Sequence, residues 1–296
     1  MMALPRFASA LCVLATLVAC SDAPTAATPT QYEVKQNQQT IKTDYSVPAY
    51  ADLGTRKDAE LVVYGSRLLN ETKRLLPNNV GAQMNCNSCH IANGKEQKGA
   101  PYVNSDLTYP QKNPRAGKMV DLSQRINGCF QRSMNGQPLD VDSREMKAML
   151  AYMAWLSEGL SKPSKIAMDA GGKIDDTLVP NPERGKLLYA QQCASCHGDN
   201  GQGLNDATGN HIFPPLWGEH SFNIGAGMAR TYKAAAFIRD NMPMSVQQTG
   251  AWGQGGLLND QDAVDIAEYF THMPRPDFAG KVNDWPNGKK PKDARY

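Results

Sequence analysis

Two five-residue segments of this 296-residue chain repeat the order Cys-x-x-Cys-His. Their chemical residues are Cys86, Cys89 and His90 in the first copy and Cys193, Cys196 and His197 in the second. The two cysteines of such a segment can form thioethers with the vinyl groups of a porphyrin, and the adjacent histidine can reach the iron as proximal ligand. A Cys-x-x-Cys pair alone would also suit a redox dithiol or half of a zinc site. Because a histidine follows directly in both copies, the pattern predicts two covalently bound haem c groups.

The N-terminal residues 1–19 have the features of an export signal. Arg6 supplies a positive charge, and the apolar stretch 11–18 is too short to span a bilayer. The stretch ends in Leu-Val-Ala before Cys20, which resembles a bacterial lipobox, so we expect cleavage there and diacylglycerol on the Cys20 thiol. Ordinary cleavage of a soluble periplasmic protein is the alternative. Ser21 favours the outer over the inner membrane, and the prediction is a periplasmic lipoprotein that meets the membrane only through its anchor.

The cysteine count leaves one thiol without an assignment. Of the seven cysteines, Cys12 lies in the leader, Cys20 is the expected lipid anchor and four belong to the haem segments. The remaining Cys129 has no disulfide partner in an oxidising compartment. It is therefore either buried and inert or reactive.

Two stretches of the chain share one internal order, which indicates a repeat. Each begins with a predicted helix that carries Gly65 or Gly185 at a matching position, where a second helix could approach closely. The haem segment, an irregular loop and a closing amphipathic helix follow. In the second copy Asn181 is expected to cap the first helix, and Leu187 and Leu188 to face inward.

This order predicts an all-α protein of two tandem class I cytochrome c domains, at residues 56–158 and 181–275. The other predicted segments are a flexible tether at 20–55, a linker at 159–180 and a C-terminal tail at 276–296. The formal net charge of +2 provides no basic field of the kind that nucleic-acid binding requires.

The second haem has candidate ligands on both sides. The stretch from Pro214 to Gly218 resembles the Pro-x-Leu-x-Gly sequence of class I cytochromes c, in which the proline carbonyl accepts a hydrogen bond from the haem histidine. For the sixth ligand, the Met-Pro pair favours Met242 over Met244, because proline makes the loop behind the sulfur rigid. His211 and His220 are further substitutes but belong to the proximal-side loop.

The first haem lacks a Met-Pro pair at the corresponding place. Aligning Ile126 with Ile238 places Cys129 close to the position that Met242 holds in the other copy. A metal deprotonates a coordinating thiol, and thiolate donation would lower the potential of this haem relative to a methionine-ligated one. Met134 is the alternative ligand. Arg115, Arg125 and other polar side chains surround Cys129 in sequence, and guanidinium groups suit oxyanions, so we expect a site for a small sulfur oxyanion here.

Several of these residues together resemble one specific protein family. Over about residues 56–275 the chain resembles the thiosulfate dehydrogenases, a family of dihaem cytochromes. The resemblance rests on Arg115, the stretch from Arg125 to Gly136, both haem segments and Asn241-Met242-Pro243. The resemblance implies a catalytic haem held by His90 and Cys129 and an electron-transfer haem held by His197 and Met242. It also implies that Arg115, Arg125 and Ser133 line the substrate site. Asn241 stands where some relatives carry a lysine that competes for iron, so no ligand exchange is expected.

The resemblance further implies that two thiosulfates are coupled to tetrathionate and that an external acceptor, such as a small cytochrome c, receives the electrons. The alternatives are a non-catalytic dihaem electron carrier, which has no need of Cys129 or the arginines, and a haem subunit of a sulfur-oxidation complex. A dihaem peroxidase is a further alternative.

Overall fold

The structure is a computed structural model that describes residues 32–36, 39–43, 45–160, 166–168, 172–207, 209, 211–244 and 255–296. The predicted export signal and the predicted lipid anchor Cys20 lie outside the described residues. Within the described part of the chain, none of the helices combines the length and the apolar character that a membrane span needs.

The architecture of the described residues is mainly helical, as the sequence predicts. The helices are α1 (Ala59–Asn70), α2 (Thr72–Leu75), α3 (Ile91–Gly94), α4 (Ser105–Thr108), α5 (Leu122–Arg132), α6 (Arg144–Leu156), α7 (Pro182–Gln192), α8 (Ala194–His197), α9 (Thr231–Asn241) and α10 (Asp260–Thr271). The strands are β1 (Glu33–Gln36), β2 (Gln39–Lys42), β3 (Gln111–Asn113), β4 (Lys118–Val120), β5 (Ile166–Met168), β6 (Leu204–Asn205) and β7 (His211–Phe213). Short 3-10 turns occur at Tyr50–Leu53, Cys86–Ser88, Gly227–Ala229 and Ala279–Asn283.

The first and last helices of the first domain pack directly against each other. α1 buries Val62 and Leu68 on the face that meets α6. A side chain at Gly65 would collide with the carbonyl oxygen of Ala148 in α6. The predicted close approach of a second helix at Gly65 is therefore confirmed. This contact holds α1 against α6, and the haem segment follows α1 and α2 in the chain.

The second domain repeats this contact between α7 and α10. A side chain at Gly185 would collide with the backbone carbonyl of Asp265. Asn181 caps α7 as predicted, because its side chain accepts a hydrogen bond from the backbone N–H of Arg184. The prediction for Leu187 is wrong, since this side chain is 66% exposed while Leu188 packs against the core. Successive residues of a helix point about 100° apart, and here that rotation turns Leu187 to solvent while Leu188 packs inward.

Segments outside the two domains also pack on them. β1 pairs antiparallel with β2 and with β5, which joins the stretch before the first domain to the stretch between the domains. Tyr32 is buried, and its hydroxyl donates a hydrogen bond to the backbone carbonyl of Lys95. The predicted tether at 20–55 therefore includes residues that contact the first domain.

The C-terminal residues 276–296 run across the boundary between the domains. The backbone N–H of Trp285 donates to the carbonyl of Arg115 in the first domain at 2.8 Å. The backbone N–H of Ile224 in the second domain donates to the carbonyl of Pro276 at 2.9 Å. The tail thereby brings its own side chains to the region where both domains meet.

Candidate haem and oxyanion site

The first Cys-x-x-Cys-His segment and the remaining thiol, Cys129, line the same cavity. Cys86, Cys89, His90 and Cys129 all line this cavity, which we call the haem cavity. Most of its remaining wall is apolar, with Leu69, Met84, Phe130, Met153 and Phe237 among the lining side chains. Neither of the two segment cysteines is in a disulfide. An apolar wall, two free thiols and a histidine are the set that a covalently bound haem requires, so the residues fit this group.

The geometry of His90 suits metal binding through one ring nitrogen. Its Nδ1 is hydrogen-bonded to the backbone carbonyl of Ala100. Burial lowers the pKa of His90 to about 4, so the ring is neutral near pH 7. A hydrogen bond on Nδ1 fixes the ring orientation and leaves Nε2 as the nitrogen available to the metal.

The second segment repeats this arrangement with a different carbonyl. His197 ends α8, and its Nδ1 lies 2.9 Å from the carbonyl oxygen of Pro214. The predicted contact between the haem histidine and this proline is therefore confirmed. Burial again lowers the histidine pKa. Cys193 and Cys196 are free thiols, so the second segment also fits a covalently bound haem.

The predicted methionine ligands lie at the ends of helices. Met242 directly follows α9, donates its backbone N–H to Ile238 and packs its side chain against the hydrophobic core. Met244 lies two residues further on and is half-buried. In the first domain the alternative ligand Met134 is buried and lines the haem cavity with Cys129. Met242 as iron ligand stays a prediction.

Cys129 lies on α5, one turn after Arg125. The helix begins with a capping box, in which the side chain of Asp121 accepts from the backbone of Gln124. The Nη1 atom of Arg125 donates to the Cys129 sulfur at 2.7 Å. The pKa of Arg125 is raised, and the largest cause is the electrostatic attraction between its guanidinium and the Cys129 sulfur. The cation therefore stays charged beside the sulfur, where it can bind an anion that reacts there.

The other two predicted substrate residues occupy the border of this site. Ser133 directly follows α5 and lines the haem cavity. It also lines a second cavity that adjoins the first, together with Arg115 and Arg125. The structure thus brings Cys129, Arg125 and Ser133 to the haem cavity and places Arg115 beside them, in the adjoining cavity.

Comparisons with known proteins agree with this geometry. A profile described as "SoxA/TsdA, cytochrome c domain" matches residues 77–161, and a profile described as "Cytochrome c" matches residues 182–274. A thiosulfate dehydrogenase of Psychrobacter arcticus is 49% identical over 78% of this chain and 68% of its own length. A thiosulfate dehydrogenase of Allochromatium vinosum is 38% identical over 81% of this chain and 87% of its own length.

The chain belongs to the thiosulfate dehydrogenase family. It is therefore a thiosulfate-oxidising cytochrome c with two covalently bound haems. A solved structure of the thiosulfate dehydrogenase TsdBA from Marichromatium purpuratum has a TM-score of 0.70 and 32% identity. That match covers 78% of this chain but only 50% of the solved chain, so this protein spans half the length of that relative.

One carboxylate that contacts two of the arginines has no signal in the sequence. Asp284 in the tail is only 3% exposed and receives two hydrogen bonds from Arg132, at 2.7 and 2.9 Å. Nε of Arg115 lies 3.9 Å from the same carboxylate. The Arg115 guanidinium also stacks over Trp285 and donates to the carbonyl of Gly225. Burial lowers the Arg115 pKa. No motif marks Asp284, because its partners lie far away in the chain.

Proposed function

We propose that this thiosulfate dehydrogenase couples two thiosulfate ions to one tetrathionate, 2 S₂O₃²⁻ → S₄O₆²⁻ + 2 e⁻, in the periplasm. The observation that supports this reaction most directly is the contact between the Arg125 guanidinium and the Cys129 sulfur in the cavity of the first haem segment. A plain electron carrier needs a haem cavity but has no need of an arginine on a free thiol inside it.

Cys129 acts as the nucleophile in a sequence of two steps. In the first, its thiolate and the terminal sulfur of thiosulfate form a disulfide bond, Cys–S⁻ + S₂O₃²⁻ → Cys–S–S–SO₃⁻ + 2 e⁻. In the second, a further thiosulfate attacks the outer sulfur of this bond, Cys–S–S–SO₃⁻ + S₂O₃²⁻ → Cys–S⁻ + S₄O₆²⁻. Covalent attachment divides one difficult coupling into two simpler reactions.

The surrounding residues bind and orient the anions. Arg125 and Arg115 offset the repulsion between two dianions that must meet in one place. The hydroxyl of Ser133 can donate to a sulfonate oxygen at the border of the haem cavity. His90 with Cys129 would hold the first haem and His197 with Met242 the second, and when bound these haems would supply the redox centres for the two electrons and the route to an external acceptor such as a small cytochrome c.

The proposed location follows from the leader alone. Haem attachment outside the cytoplasm and the cysteine at position 20 support a periplasmic lipoprotein, anchored in the outer membrane. Globomycin treatment, which blocks the lipoprotein signal peptidase, should leave a longer precursor, and Cys20→Ser should leave an uncleaved precursor as well, because the peptidase acts only after the lipid is attached to the cysteine. A wild-type protein that is soluble without detergent after cleavage would contradict the anchor.

The test of the reaction is a substitution of the nucleophile. Cys129→Ala and Cys129→Gly should each reduce thiosulfate-dependent ferricyanide reduction by at least about 1,000-fold, because the covalent step is lost. Tetrathionate should appear in a ratio of one per two ferricyanide ions reduced by the wild type. Both variants should keep two haems per chain by mass. A variant with near-normal turnover would exclude the covalent scheme.

A further inference from the structure

The cavity that adjoins the haem cavity is lined by residues from three parts of the chain. The first domain contributes Arg115, Lys118 and Arg132, the second domain contributes Arg230 and Lys233, and the tail contributes Lys289. Every charged residue that lines it is a cation. We call this space the antechamber.

The antechamber communicates with the reactive thiol. Arg125, Ser133, Gly227 and Lys233 line both cavities. An anion in the antechamber is therefore next to an anion bound at Cys129, whose sulfur accepts the hydrogen bond from Arg125. Cations at the shared wall can contact both anions at once, which lowers their mutual repulsion.

Several of these cations have donors or charges without a partner among the residues that the structure describes. Within the described part of the chain, the Nε–H of Arg230 is buried and finds no hydrogen-bond acceptor. Lys233 and Lys289 form no ion pair with any carboxylate that the structure describes. Burial lowers the pKa of Lys233, and the charges of Arg230 and Arg125 lower it further. A buried donor without an acceptor, among cations that repel one another, indicates a place for an anionic ligand.

We propose that the antechamber is a second sulfur-oxyanion subsite, built by Arg230, Lys233 and Lys289. It holds the thiosulfate that attacks the Cys129 adduct, and then the outer sulfonate of tetrathionate before release. The role in turnover rests on the proposed function, whereas the binding of the anion does not. The second cytochrome domain thereby takes part in substrate binding as well as in electron transfer.

Anion binding without turnover tests the subsite directly. The protein is the haem-loaded Cys129→Ala variant, in which no adduct forms, and the probe is tetrathionate, titrated by calorimetry at low ionic strength. Adding Arg230→Gln or Lys233→Gln should raise the Kd for tetrathionate by about tenfold each, since each removes a charged hydrogen-bond donor from the ligand. Lys289→Gln, on the tail, should raise it by a smaller factor.

Two controls separate binding from folding and from total charge. Lys233→Arg should restore most of the affinity because the cation is kept. Lys186→Gln removes one exposed positive charge from α7 in the same domain and should leave the Kd unchanged. Visible spectra and haem content should match among all variants.

The outcomes distinguish this proposal from the catalytic one. If the Kd for tetrathionate is unchanged in both Arg230→Gln and Lys233→Gln, the subsite proposal is overturned. This holds also where the haem spectrum of these variants shifts, since the two cations then interact with the haem and not with the anion. Weaker tetrathionate binding in these variants supports the subsite even if Cys129→Ala retains turnover. Retained turnover in Cys129→Ala would contradict the covalent scheme but not the subsite. In otherwise wild-type enzyme, the same substitutions should raise KM for thiosulfate about tenfold and change kcat by less than about threefold.

Discussion

The two cytochrome domains share a scaffold and differ at one helix. In both, a glycine allows the terminal helices to touch, and a backbone carbonyl orients the haem histidine through its Nδ1. The difference lies in one helix of each domain. In the first domain α5 carries Cys129 beside Arg125, whereas in the second domain Met242 directly follows α9. The proposed function thus assigns covalent sulfur chemistry and electron transfer to one scaffold, with a few side chains at this helix making the difference.

The domains also differ in what surrounds them. Arg115 and Arg132 of the first domain contact Asp284 of the tail, and Gly227 and Lys233 of the second domain line both of its cavities. The surroundings of Cys129 thus include parts of the chain outside the domain that carries this thiol.

The largest effect is expected when the first domain is made to resemble the second. Cys129→Met supplies a thioether that can ligate iron but cannot form a disulfide, so turnover should fall by at least about 1,000-fold. The ferricyanide assay measures this, and low-temperature EPR should show the loss of any thiolate-ligated low-spin haem. Thiosulfate oxidation above about one-tenth of the parental rate would mean that ligation, and not nucleophilic attack, is the role of this sulfur.

The shared helix contact should respond equally in the two domains. Gly65→Ala and Gly185→Ala each push a methyl group into a backbone carbonyl of the facing helix, so each should destabilise its own domain by about 1–3 kcal/mol. Thermal unfolding, followed at the haem bands, measures this. Gly128→Ala on α5 is the matched control, because its methyl group meets no atom within 4 Å and should be neutral or stabilising. Equal stability of all three variants would contradict the packing argument.

The contribution of the tail depends on Asp284. If this carboxylate orients Arg115 and Arg132, Asp284→Asn should raise KM for thiosulfate by about tenfold while kcat changes little. If it merely neutralises charge, the opposite result is expected, since its removal would make the site more attractive to anions. Asp277→Asn, which removes an exposed carboxylate paired with Lys281, should leave KM unchanged.

A smaller difference is expected between two ion pairs. Arg184 of α7 binds Asp265 of α10 at 2.6 Å, and the Asp265 side chain is only 1% exposed. Arg184→Gln should therefore lower the stability of the second domain, because a buried carboxylate loses its charged partner. Arg56 pairs with Glu158 at the surface of the first domain, so Arg56→Gln should lower stability less than Arg184→Gln does. Denaturant titration of both variants measures the contrast, and equal losses would contradict it.

How much of the site the sequence could predict depends on how local each feature is. The haem segments are contiguous, because thioether bonds and the axial histidine must reach one porphyrin from adjacent residues. Cys129 was accessible by elimination among seven cysteines, and Arg125 lies one helical turn before it. Leu187 was placed wrongly, because the sequence pattern does not say which of two adjacent leucines faces the neighbouring helix.

The remaining part of the site had no local signal. Arg132 and Asp284 are 152 positions apart, and each alone reads as an ordinary surface charge. Arg230 and Lys233 belong by sequence to the electron-transfer domain, yet they line the antechamber of the other domain. No spacing rule connects such residues, because their contact depends on how the domains and the tail pack.

The sequence by itself determined the covalent chemistry of this protein: two haem attachment segments, one spare thiol and an arginine one turn before it. Only the tertiary structure decided which cations share a cavity with that thiol and which carboxylate orients them. The physical reason is one of range. Bonds and helical turns act between near neighbours in the chain, whereas electric fields and packing act between near neighbours in space.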